Sequence, residues 1–149
     1  YIIKPDKTEF TILELPLGGL GEKRLMSQPI FQYYQTFHEK PMIGGYESRP
    51  STDVLDKHGN YFLNIFHFSD GIKNTPEEYF ANSALSNMKN YDIKYVIIHK
   101  SSWFLCETVE CETLLQENYI PRIKNVMSEI LQNKTPYFED EEVIVYKIP

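Results

Sequence analysis

Between Gln32 and Pro50 the chain reads Gln-Tyr-Tyr-Gln-Thr-Phe-His-Glu-Lys-Pro-Met-Ile-Gly-Gly-Tyr-Glu-Ser-Arg-Pro. His38, Lys40 and Arg49 bring an imidazole, an ammonium and a guanidinium into one stretch, with Gly44, Gly45 and Tyr46 between them. Adjacent glycines admit positive φ or close backbone approach. The Arg49 fork suits phosphate or carboxylate, and Lys40 adds a point charge nearby. The chemistry such a corner fits is the holding of an anion. A structural role is the alternative, with Arg49 pairing to Glu47 or another acid to brace the loop.

Two further residues carry chemistry. Glu14 stands near the end of the apolar run Glu9-Phe-Thr-Ile-Leu-Glu-Leu15, and His99 ends Ile93-Lys-Tyr-Val-Ile-Ile-His99. In an open α/β sheet, ligands bind beyond the carboxyl ends of the strands. If these two strands run parallel, Glu14, His38, His99 and the Gly18-Gly19 loop can approach one another. A metal site of Glu14, His38 and His99 is then conceivable, although no short ligand spacing supports it. The loop Leu17-Gly-Gly-Leu-Gly21 lacks both the dinucleotide and the P-loop fingerprints, so it reads as a turn. No nucleophile elbow surrounds Ser48 or Ser101. Cys106 and Cys111 are too far apart for a zinc or redox two-residue gap; they close a small disulfide loop or are two buried thiols.

The elements that must position these residues follow from pattern. Glu9–Leu15 is a buried strand stopped by Pro16. Gln35–His38 is expected to be extended, because Pro41 and Gly44-Gly45 follow at once. A helix is expected from Ser51 or Thr52 onward, with Val54, Leu55, Phe62, Ile65 and Phe66 at helical spacing and His58 and His67 at its surface or boundary. Thr75-Pro-Glu-Glu78 starts a second helix with a capping box and Pro at the first position, and Asn90 ends it. Ile93–His99 has the uninterrupted apolar core of a strand covered on both faces. Glu107–Gln132 reads as a long helix with Leu115, Tyr119, Ile123, Val126, Met127, Ile130 and Leu131 on one side, kinked or split at Pro121. Pro136–Glu139 and Val143–Ile148 bracket the acidic turn Asp140-Glu141-Glu142 as a terminal β-hairpin. The sum is an α/β fold, a small mixed sheet flanked by helices with a C-terminal β-hairpin, in a single domain over residues 1–149.

Composition narrows the function classes. At 149 residues the chain can bury a real core. Its 11 Tyr and 9 Phe exclude intrinsic disorder. A net charge of −6, with no long basic run, argues against a nucleic-acid partner. No apolar stretch approaches the roughly 20 residues of a membrane span. The sequence opens at Tyr1 without a start Met, which reads as a domain excised from a larger protein.

Four motifs stand in order: Ile12-Leu-Glu-Leu-Pro16, Tyr34-Gln-Thr-x-His-x-Lys-Pro41, Ile43-Gly-Gly-Tyr-x-Ser-Arg49 and Ile93-Lys-Tyr-Val-Ile-Ile-His-Lys100. This set resembles the soluble C-terminal domain of multi-pass bacterial and archaeal membrane proteins of the GT-C glycosyltransferase type, which are similar to lipid-linked-sugar mannosyltransferases. The resemblance spans about Thr11 to Tyr146. It implies an extracytoplasmic domain tethered by upstream membrane helices to a transferase that uses a polyprenyl-phosphate sugar. The implied partners are the membrane-embedded part of the same polypeptide and a lipid-linked sugar or its acceptor. The superfamily's acidic catalytic residue lies in a loop outside this chain, so no catalytic residue and no cofactor are implied here. His38, Lys40, Gly44, Gly45, Tyr46 and Arg49 match the motifs as candidate ligand-binding residues. The expectation is an accessory domain that positions acceptor or donor, or braces the membrane part. A free-standing metal-assisted hydrolase using Glu14, His38 and His99 is the rival.

Overall fold

A computed structural model describes residues 8–16, 36, 39–42, 66, 77–100, 106 and 108–149. Strand β1 (Thr11–Leu15) and strand β2 (Ile93–His99) flank helix α1 (Glu77–Asn90) in sequence. Helix α2 (Val109–Thr113) continues through a π-helical stretch, Leu114–Tyr119, into helix α3 (Ile120–Ile130). Strands β3 (Phe138–Glu139) and β4 (Val143–Lys147) close the chain as a hairpin. The sheet order is β1-β2-β4-β3. β1 and β2 are parallel, with Glu14 opposite Ile97 and Leu15 opposite Ile98, while β4 runs antiparallel to both β2 and β3. The small mixed α/β sheet with its terminal hairpin is thus as expected.

Alternation along the strands divides the core in two. Leu13, Leu15, Val96, Ile98, Ile144 and Tyr146 pack with Ala84 and Met88 of α1 and with Ile123, Met127 and Ile130 of α3. Phe10, Ile12, Tyr95, Ile97 and Val145 form a second buried cluster. β2 contributes to both, which is why its sequence is a continuous apolar run rather than an alternating one. Each fully buried Leu or Ile contributes roughly 1.5–3 kcal/mol relative to an exposed one. These clusters are what hold the strand ends in place.

The long helix keeps its expected buried side, and its start and middle are set by local chemistry. Thr108 caps it, its Oγ1 accepting from the Cys111 backbone N–H at 3.2 Å. Pro121 has no N–H to donate and its ring crowds the preceding turn. The chain accommodates it by widening rather than breaking: the Ile120 N–H donates to the Leu115 carbonyl, five residues back, and Pro121 falls in the first turn of α3.

One expectation is corrected. Thr36, the single described residue of Gln35–His38, is helical, not extended. Proline restricts only the residue directly before it, so Pro41 constrains Lys40 and leaves Thr36 free to be helical. Glu39 has φ 59°, a left-handed geometry that commonly follows a helix end. The Leu17–Gly21 loop lies outside the described residues. So does the helix expected from Ser51, apart from Phe66, which is fully buried in a turn. Cys106 and Cys111 are joined as a disulfide with a Cα–Cα distance of 5.3 Å. A ring this small contributes about 2 kcal/mol in the chain-entropy picture.

The hairpin turn is held by a single carboxylate. Asp140 Oδ1 accepts from the backbone N–H groups of Glu142 and Val143, both at 2.8 Å. Those bonds, Val143's first, hold its carboxyl below the usual aspartate range. A carboxyl depressed on folding stabilises above its unfolded value and loses that contribution as pH falls through the folded one. Asp140→Ala is therefore expected to lower stability at neutral pH, by no more than about 1 kcal/mol because the site is exposed to solvent. Unfolding titrations from pH 6 to pH 2 should show the gap to the parent closing on acidification. A gap that stays constant rules out this account.

Candidate functional site

The parallel pairing of β1 and β2 brings Glu14 and His99 together at their carboxyl ends. His99 Nε2 and Glu14 Oε2 are hydrogen-bonded at 2.9 Å. Glu14 is 1% exposed and His99 7%, the two buried polar or charged residues among those described. Alternation places them on the same sheet face as Ile12, Tyr95 and Ile97. A carboxylate this deep requires a polar partner, because burial without one costs several kcal/mol. The imidazole one step beyond the Leu15–Ile98 level supplies it.

The exit of β2 is held from three directions. The Lys100 N–H donates to the Glu142 carbonyl at 2.8 Å, which ties it to the hairpin. Its own carbonyl accepts from Gln116 Nε2 at 2.5 Å, reaching out of the π-helical stretch. Its ammonium lies 3.4 Å from Glu139 Oε1, and Lys124 of α3 reaches the same oxygen at 3.1 Å. Burial is the largest single effect and pushes the Glu139 carboxyl up, but the hydrogen bonds and charges of Lys124 and then Lys100 together outweigh it and hold the carboxyl below the usual glutamate range. Gln116, Lys124 and Glu139 were not legible as site residues, since each looks like an ordinary exposed helix or turn position.

Lys40 sits elsewhere. Its Nζ donates to the Thr8 carbonyl at 3.0 Å and lies 4.7 Å from the Phe10 ring centroid. Lys94 makes the same pair of contacts from β2, donating to Thr8 Oγ1 at 2.9 Å and lying 5.1 Å from the Phe10 ring. Phe10 and Glu14 are roughly 13 Å apart along an extended chain. Lys40 is therefore at the amino end of β1, away from the Glu14–His99 pair. Just beyond it, the Ile12 N–H donates to the Pro41 carbonyl at 2.8 Å, and Met42 bridges to Ile12 in parallel. His38, Gly44, Gly45, Tyr46 and Arg49 lie outside the described residues.

Two of the three residues considered for a metal are thus in contact, and the third, His38, is not described. Among the described residues no group of three or more His, Cys, Asp or Glu side chains could hold a metal ion. Among those residues, too, no helix is long and apolar enough to cross a membrane. What the buried pair does is join β1 to β2 by side chains where their backbone ladder ends. No protein-family model, no curated protein and no solved structure matches this chain.

Proposed function

We propose that the chain is an accessory, non-catalytic domain of a membrane glycosyltransferase-like protein, facing the cell exterior, and that it braces the membrane part or positions a lipid-linked sugar or its acceptor. One observation carries this reading. Three motif segments far apart in sequence lie against one another: Ile12–Pro16 and Ile93–Lys100 as adjacent parallel strands, and Pro41, which ends a third motif, against Ile12 toward the amino end of β1. Glu14 and His99, the polar members of the two strand motifs, are turned onto each other. That arrangement suits a rigid brace. The Cys106–Cys111 disulfide supports an exterior setting, since such bonds persist in oxidising compartments.

The test uses the complete parent protein in its membrane. Membrane-spanning helices are expected upstream of Tyr1, and a membrane-impermeant lysine reagent added to intact cells is expected to label the exposed Lys134. An upstream frame without such helices, or labelling only after lysis, overturns the reading. Arg49→Ala in the same protein separates its two versions. Lost thermal stability with intact transfer supports bracing, and intact stability with lost transfer supports positioning.

The rival, a metal-assisted hydrolase, is favoured by one observation, the 2.9 Å contact of Glu14 with His99. Elemental analysis of the purified chain decides it. Stoichiometric metal that is lost in both His38→Ala and His99→Ala establishes the site, and metal-free protein removes it.

A further inference from the structure

We propose that the Cys106–Cys111 disulfide is open to exchange in the folded protein, with Cys106 as the sulfur attacked, and that its partner is a thiol–disulfide exchange protein with a basic, apolar rim. This does not rest on the functional reading above.

The pair is asymmetric. Cys106 is half-buried, whereas Cys111 is only 4% exposed and belongs to the main core. Cys106 is packed against the edge of that core and is the more accessible of the two to an incoming thiolate. Attack forms a mixed disulfide at Cys106 Sγ and expels Cys111 as the thiolate. Cys111 lies in the core, where a thiolate is disfavoured, so the expelled sulfur takes up a proton and is held there as a thiol. The partner's second thiolate then attacks its own sulfur in the mixed disulfide. Cys106 leaves as a thiolate, and the partner departs as a disulfide. Two electrons pass from the partner dithiol to the protein, and run the other way the same steps install the bond.

The surroundings define what docks. Val109 lies inside the disulfide ring and is 78% exposed, the more exposed of the two large hydrophobic residues standing out on the described surface. Thr108, Glu110 and Glu112 around it are also exposed. An exposed apolar residue flanked in sequence by two exposed carboxylates, Glu110 and Glu112, fits a partner with an apolar contact and positive charge beside it.

Folded oxidised protein is treated with excess cysteamine or glutathione without denaturant, trapped by acid, and mapped by peptide mass spectrometry. Rates are normalised to thiolate concentration and to a small-molecule disulfide. The adduct is expected at Cys106, and the cationic cysteamine should react at least threefold faster than the anionic glutathione at low salt. That gap should close at high salt. Reduction only on unfolding, an adduct at Cys111, or equal low-salt rates overturns the proposal. With a thioredoxin-type dithiol protein as reductant, Val109→Ser should slow exchange about threefold while leaving the cysteamine rate unchanged. An unaltered rate with that protein overturns the docking role of Val109.

Discussion

Replacing His99 by Leu is expected to lower stability by about 3–5 kcal/mol, the range seen when a buried carboxylate loses a side-chain partner. The Glu14 carboxyl would keep its place at 1% exposure but lose the imidazole 2.9 Å away. Replacing Glu14 by Leu should cost less, about 1–3 kcal/mol, because what the imidazole loses is mainly a hydrogen bond. The double substitution Glu14→Leu/His99→Leu is the informative one. If the pair acts only as a brace, two well-packed apolar residues on the face of Ile12 and Ile97 should restore much of what the His99 change removed. Urea denaturation of the four proteins gives the coupling directly. A His99→Leu loss below about 1 kcal/mol means that the Glu14 carboxyl does not depend on the imidazole, and the brace is then the wrong description.

Tyr119 carries the second large effect, and there ring and hydroxyl separate cleanly. The side chain is 2% exposed in the main core, and its hydroxyl donates to the Phe66 carbonyl at 2.6 Å. Arg122 lies 5.4 Å from the ring centroid, partly buried, and desolvation lowers its guanidinium below the usual arginine range while the nearby Tyr119 opposes that. Tyr119→Phe keeps the ring and removes one donor, with an expected loss of about 1–3 kcal/mol. Tyr119→Ala opens a cavity as well and should cost about 3–5 kcal/mol. Thermal unfolding of both variants checks the order. Equal losses would mean that the ring contributes nothing beyond its hydroxyl, contrary to its place in the core.

Most of the architecture was readable because it is written in local pattern. The Ile93–His99 strand announces itself by burial on both faces, and the end of α1 at Asn90 and the hairpin around Asp140 follow from turn chemistry. The meeting of Glu14 with His99 was readable only conditionally. Both residues stand at or near the end of an apolar run, but whether they touch depends on strand direction, which no local pattern encodes. Lys40 shows the opposite case. Its ammonium contacts Thr8 and Phe10, in a chain segment about thirty residues away that no local pattern points to, while the residues read with it as an anion corner lie outside the described ones. The π-helical stretch was foreshadowed by Pro121 as a kink, and tertiary packing of Leu115 and Tyr119 resolved it as a widened turn instead.

The pairing of β1 with β2 also sets a timetable for the growing chain. Thr11 finds its partner Ile93 roughly 80 residues later, so on the ribosome β1 waits on the order of 4–16 s, at 5–20 residues per second, before its neighbour even exists. Throughout that interval Phe10, Ile12, Leu13 and Leu15 have no strand to lie against, and Glu14 has no imidazole. Until His99 arrives, the one carboxylate of β1 is the charge that sets this short segment apart from a wholly apolar one.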